Sequence, residues 1–119
     1  MHPFNPEQRD VDSALSLRAL KAAADHPDAT KDQRRVAMFY LAVLQHNTGR
    51  LHEQVATFDR WLREVPKEDD LREYALWLQV RTLWQMGERT RARELLELMK
   101  ADYPEGDQMK EARRLIEGE

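Results

Sequence analysis

Apolar residues recur along this chain at the spacing of amphipathic helices, and no stretch shows the sustained two-residue alternation of a β-strand. The pattern predicts an all-α fold of about six helices, with short loops that make consecutive helices antiparallel. We expect one domain over 1–119: an N-terminal helix, two helix pairs and a capping helix, over residues 5–26, 30–66, 69–104 and 107–118.

Several helix starts are marked by residues that favour a helix N-terminus. Asn5 is a favourable N-cap residue and is followed by a proline, which suits the first helical position. Thr30 and Gln33 have the spacing of a capping box. Asp69 and Asp70 place negative charge where the N-terminus of the fourth helix favours it.

The predicted helices differ in how many of their sides are apolar. Residues 36–44 carry no charge, so we expect the second helix to be covered on every side. The third helix has one apolar stripe and should keep a side in solvent. The fourth has two apolar groups on nearly opposite sides, which predicts that it is packed between neighbours.

Glycine and proline recur at one fixed spacing. Gly49 and Gly87 are 38 residues apart, and so are Pro66 and Pro104. Each glycine lies between two helical stretches, where a left-handed residue lets the chain turn, and each proline ends the second stretch. The spacing favours two copies of a two-helix unit over an ordinary bundle with coincidental punctuation.

Charge and composition argue against several classes of function. The chain has 19 basic and 22 acidic side chains, and acids interrupt its arginine clusters, so nucleic acid is not the expected partner. It has no cysteine, which excludes thiolate and disulfide chemistry. The uncharged run that begins at Val36 is too short to span a bilayer, so we expect no membrane insertion. A soluble protein is expected; the cytoplasm is favoured, and the periplasm stays open if a signal was removed.

The two-helix unit resembles the tetratricopeptide repeat, which stacks into a right-handed superhelix. The resemblance covers roughly residues 32–104, with family-like residues at Leu41, Ala42, Gly49, Phe58 and Pro66 in one copy and Gly87, Ala92, Leu96 and Pro104 in the other. It implies antiparallel helix pairs stacked as a short right-handed α-solenoid. Gln54, Trp61 and Gln79 depart from the family's residue types, which leaves the superhelical angle open.

The resemblance also implies a groove, lined by the first helix of each pair, that receives a peptide or helix of a partner protein. The positions that would face it on the fourth helix include types enriched at binding hot spots: Tyr74, Trp77, Arg81, Trp84 and Gln85. The matching positions on the second helix are Val36, Phe39, Val43, His46 and Asn47.

A buried role is the alternative for part of this set. We favour ordinary core for part of the face that contains Val36, Phe39 and Val43, since the first helix should lie against it. For Trp77 and Trp84, the core and groove interpretations are equally open. The family's carboxylate clamp needs lysine and asparagine at positions that hold other residues here, so recognition of a free C-terminus is not expected.

No pattern of catalytic or metal-binding residues stands out. His46 and His52 are six residues apart across a bend, which is not a metal-ligand spacing. We expect no enzyme activity, no metal and no cofactor. The sequence predicts a non-catalytic protein–protein interaction module. The alternative is a structural subunit that self-associates or docks in a larger complex through its aromatic face or terminal helices.

Overall fold

A computed structural model describes the backbone of residues 6–118 and the side chains of residues 15–118. Within this range the chain is all-helical and has no strand, which confirms the predicted class. The six helices are α1 (Pro6–Asp25), α2 (Lys31–Asn47), α3 (Leu51–Glu64), α4 (Arg72–Gln85), α5 (Arg89–Asp102) and α6 (Asp107–Glu117). The predicted N-cap at Asn5 lies outside the described residues.

The chain divides into two compact units, residues 1–57 and 58–119, with the boundary inside α3. In the first unit, α1 packs against α2. In the second, α4 packs against both α5 and α6, which also contact each other. None of the described helices has the length and apolar character needed to cross a membrane. The α-solenoid stays a prediction.

Local signals account for the helix starts. Thr30 and Gln33 form the predicted capping box: the Gln33 N–H donates to Thr30 Oγ1 at 3.0 Å, and the Thr30 N–H donates to Gln33 Oε1 at 2.9 Å. Before α4, Asp69 Oδ1 accepts a hydrogen bond from the Leu71 N–H at 2.9 Å. These side chains satisfy N–H groups that the helix backbone leaves without an acceptor.

The recurrent glycines and prolines have the predicted conformations. Gly49 and Gly87 have φ of +77° and +84°, and each follows a helix closely. Pro66 and Pro104 lie just beyond the ends of α3 and α5. Both turns therefore use the left-handed region that glycine adopts without the steric cost of a Cβ.

The prediction that α2 is covered on every side is wrong at one position. Ala37, Met38, Leu41 and Ala42 are buried, but Tyr40 is 57% exposed. An uncharged run shows that a helix is largely apolar, but it does not show how many other helices pack against it. Tyrosine tolerates partial exposure because its apolar ring carries a polar hydroxyl.

The core of the second unit includes residues from all four of its helical segments. Phe58 and Trp61 of α3 are fully buried, with ring centroids 6.2 Å apart in an edge-to-face contact. Both apolar groups predicted on α4 contain buried residues. The other fully or almost fully buried apolar residues are Ala75, Leu76, Val80, Leu83, Ala92, Leu96, Met99, Met109 and Ala112.

The departures from the repeat pattern are themselves buried. Gln54, Trp61 and Gln79 all have 0% exposure. Gln79 Nε2 donates to Asp59 Oδ1 at 2.9 Å, and Arg91 Nη2 contacts the second oxygen of that carboxylate at 3.1 Å. A buried glutamine on α4 is therefore tied through one carboxylate to α3 and α5, which offsets the cost of its burial.

The first turn of α4 is joined to the start of α6. The Met109 N–H near the beginning of α6 donates to Glu73 Oε2 at 3.0 Å. Gly106 is the N-cap of α6 and has an ordinary φ of −72°. A Cβ at this position would overlap the Glu73 carboxylate. Glycine here therefore leaves room for the Glu73 carboxylate, and it is not needed for the backbone conformation.

The same turn of α4 is joined to the end of α5. Arg72 Nη1 donates to Asp102 Oδ2 at 2.8 Å and to the Tyr103 hydroxyl at 3.1 Å, and that hydroxyl donates to the Lys67 carbonyl at 2.7 Å. Partial burial opposes the charge of Arg72, but the hydrogen bonds to Tyr103 and Asp102 outweigh it and raise the pKa of the guanidinium. The Arg72 guanidinium therefore stays charged at physiological pH.

Gly106→Ala should lower the free energy of unfolding by about 1 kcal/mol, because the new methyl group displaces Glu73 from the N-terminus of α6. In a Glu73→Ala background the same change should cost almost nothing, since no carboxylate remains to be displaced. Urea unfolding of the four proteins of this cycle measures both values. Equal costs in the two backgrounds would contradict the coupling.

Tyr103→Phe should lower the free energy of unfolding by about 1 kcal/mol, because it removes a hydroxyl that bridges Arg72 and the Lys67 carbonyl while keeping the ring. Tyr40→Phe is the matched control, since this tyrosine is mostly exposed, and should change the value by less than about 0.5 kcal/mol. Indistinguishable unfolding midpoints for the two variants would show that the bridge contributes nothing.

Candidate functional site

One stripe of α4 faces solvent, and we call its five residues the α4 face: Tyr74, Trp77, Arg81, Trp84 and Gln85. Tyr74 is 41% exposed. Arg81 and Gln85 are exposed, and the two tryptophans are half-buried. The spacing of three and four residues places all of them on one side of the helix.

The α4 face exists because the rest of the helix is buried. Seven of the fourteen residues of α4 are buried: Ala75, Leu76, Leu78, Gln79, Val80, Thr82 and Leu83. Contacts of the first turn with α5 and α6, through Arg72 and Glu73, fix the rotation of the helix about its axis. The α4 face is thus a rigid surface on a helix and not a loop.

Arginine side chains cover part of the indole surface. The guanidinium carbon of Arg89 lies 3.7 Å from the ring centroid of Trp84, and that of Arg93 lies 5.5 Å from the same ring. Arg81 lies 5.8 Å from the ring centroid of Trp77. Attraction between a cation and the face of an indole is worth about 0.5–1 kcal/mol at exposed sites. The face therefore combines aromatic surface with positive charge.

Arg89 and Arg93 extend the candidate site beyond the residues that sequence reasoning selected. α5 begins at Arg89, directly after the turn at Gly87. A spacing of four residues puts Arg93 on the same side of α5. That spacing next to a glycine turn was a usable signal, although charge clusters on helices are more often simply solvated.

The candidate residues of α2 lie in the first unit and have mixed environments. Phe39 is buried, with 6% exposure, so the core interpretation describes it. Val43 and His46 are half-buried and Asn47 is exposed. His46 Nδ1 lies 3.1 Å from Oε1 of the buried Gln54. A groove that combines these residues with the α4 face stays a prediction.

The described side chains include no group of three or more His, Cys, Asp or Glu placed to hold a metal ion. An open depression of about 480 Å³ lies in the first unit, at the loop that connects α1 to α2. Three alanines form much of its lining: the full set is Ala22, Ala23, His26, Asp28, Ala29 and Gln33. His26 Nδ1 already accepts a hydrogen bond from the Asp28 N–H at 3.1 Å. The α4 face remains the better candidate site.

Comparison with protein-family models, with curated proteins and with solved structures finds no match to this chain. The likeness to the tetratricopeptide repeat therefore rests on the sequence pattern alone and stays a prediction.

Proposed function

We propose that this chain is a non-catalytic protein-binding module that holds a peptide segment or helix of a partner protein on the α4 face. One observation carries the proposal. A helix that is otherwise buried presents tyrosine, tryptophan and arginine together on its solvent side. These three residue types dominate the energetics of protein interfaces.

The rigidity of α4 supports this role. The helix is fixed at its first turn by Arg72 and Glu73 and along its length by a fully buried stripe. A surface that is ordered before binding loses little conformational entropy when a partner arrives. Tyr74, Trp77 and Trp84 also have few rotatable bonds for the area that they offer.

A different protein fits the α4 face better than a second copy of this chain. A two-fold symmetric dimer brings the same patch of two copies together. Such a contact would place Arg81, Arg89 and Arg93 near their equivalents, and like charges across an interface oppose association.

Self-association through the first unit is the second candidate. Leu15 of α1 and Tyr40 of α2 are both 57% exposed and offer apolar surface outside the α4 face. A structural subunit would cover such residues with another copy or with a neighbour in a larger complex.

Trp77→Ala combined with Trp84→Ala should abolish partner capture, by at least about a hundredfold in affinity, because it removes both indoles from the α4 face. Each change should cost only about 1–2 kcal/mol of stability because the two rings are half-buried, whereas Trp61→Ala should cost about 3–5 kcal/mol. Affinity capture from a lysate of the source organism, with quantitative mass spectrometry and urea unfolding, measures both effects.

Tyr40→Ala is the matched control for this capture experiment, since it removes an exposed aromatic ring from the first unit. Proteins that bind the α4 face should be retained by Tyr40→Ala and lost by the double tryptophan variant. If the folded double variant captures the same proteins as the unchanged chain, the α4 face is not the binding surface.

Light scattering over a micromolar concentration series should show a monomer, because the α4 face repels its own copy. A mass that rises with concentration would favour the structural-subunit role. In that case Leu15→Ser with Tyr40→Ser should restore the monomer, since these changes remove the exposed apolar side chains of the first unit.

A further inference from the structure

We infer that the segment held on the α4 face is acidic, and that its carboxylates pair with Arg81, Arg89 and Arg93 while its apolar side chains contact the indoles. This inference rests on the function proposed above and specifies the chemistry of the partner. It follows from the state of the three arginines, from the ring contacts beneath them and from the placement of nearby acids.

The three arginines lack a carboxylate partner among the described residues, where their contacts are with the rings of Trp77 and Trp84. Five other arginines do form ion pairs with carboxylates: Arg35 with Asp32, Arg60 with Glu64, Arg72 with Asp102, Arg91 with Asp59, and Arg114 with Glu111.

Two acids close in sequence to the arginines contact other groups. The only carboxylate of α4 belongs to Glu73, which accepts the hydrogen bond from the start of α6. Glu97 is four residues after Arg93, a spacing that suits an ion pair on a helix. Its carboxylate instead contacts Lys100 Nζ at 3.2 Å. Glu88 and Glu94 are adjacent in sequence to Arg89 and Arg93, but no ion pair joins them to these arginines among the described residues. The three guanidinium groups therefore keep their donors available for a carboxylate from outside the chain.

The position of Arg89 on Trp84 suits it to bind a carboxylate. A guanidinium is planar and carries its N–H donors in the plane of the group, so a group lying on a ring keeps donors at its edge. The indole also removes water from one side of the cation, which strengthens its attraction for an anion. Carboxylates match this fork of donors with two parallel hydrogen bonds.

Single-stranded nucleic acid is the competing anionic partner, and the observations favour it less. Its non-specific binding depends on bases that stack on free aromatic rings along a basic track. Arg89 already lies on the Trp84 ring, with its guanidinium carbon 3.7 Å from the ring centroid. A base would have to displace this arginine in order to stack there. The formal net charge of −3 of the whole chain opposes a nucleic-acid polyanion more strongly than a short acidic peptide, because the repulsion grows with the charge of the partner.

Selection of short random peptides displayed on phage, against the 119-residue chain, tests the inference without a known partner. Selected peptides are synthesised, and their affinities are measured by fluorescence anisotropy at low and physiological ionic strength. Three variants are compared with the unchanged chain. The first combines Arg81→Gln, Arg89→Gln and Arg93→Gln, and the second combines the charge-conserving changes Arg89→Lys and Arg93→Lys. The third is the double tryptophan variant, Trp77→Ala with Trp84→Ala. Arg63→Gln on the exposed side of α3 is the control for loss of one charge.

Peptides that need both tryptophans should be rich in Asp and Glu and should bind more weakly as salt rises. The triple glutamine variant should weaken binding by roughly ten- to a hundredfold, because each of the three exposed ion pairs is expected to contribute a factor of about two to five. The lysine variant should recover only part of this loss, because lysine keeps the charge but lacks the planar fork of donors, and Arg63→Gln should change affinity by less than about twofold. Circular dichroism and urea unfolding establish that each variant is folded.

Tryptophan-dependent peptides that are neutral or basic would overturn the acidic inference and leave the proposed function standing. Tighter binding of a single-stranded oligouridylate than of the selected acidic peptides, through the same arginines, would replace it with nucleic-acid binding. If no selected peptide depends on Trp77 and Trp84, the proposed function fails and the inference fails with it.

Discussion

Burial of α4 is the constraint on which the second unit depends. Ala75, Leu76, Val80 and Leu83 are all fully buried, and each larger apolar side chain contributes about 1.5–3 kcal/mol through its removal from water. Contacts at the first turn then fix the rotation of the helix. Once one side is held in the core, residues three and four apart on the other side must face solvent. The α4 face is therefore a consequence of packing.

Local rules predicted the helices well because their causes are local. A capping box at Thr30, left-handed turns at Gly49 and Gly87 and prolines after α3 and α5 each depend on residues a few positions apart. Helical periodicity also identified the apolar groups of α4 that contain its buried residues, whereas the positions of the α4 face came from the resemblance to the repeat. Tyr40 shows the limit of such rules, because its exposure depends on which neighbours pack against α2.

The contacts that shape the candidate site had weaker signals in the sequence. Glu73 and Met109 are 36 residues apart, and no periodic pattern marks Gly106 as the residue that makes room for their hydrogen bond. The stack of Arg89 on Trp84 likewise depends on how closely α5 returns along α4 after the turn. Residue types predicted a binding surface, whereas its charge environment required the three-dimensional arrangement.

Arginines on the indole rings have a consequence for the colloidal behaviour of the protein. An uncovered aromatic ring at a protein surface favours aggregation in concentrated solution. Charged residues next to apolar segments oppose this aggregation. Arg89 shields part of the Trp84 ring. The arginines thus reduce the area of uncovered aromatic ring on the α4 face without removing the rings from the surface.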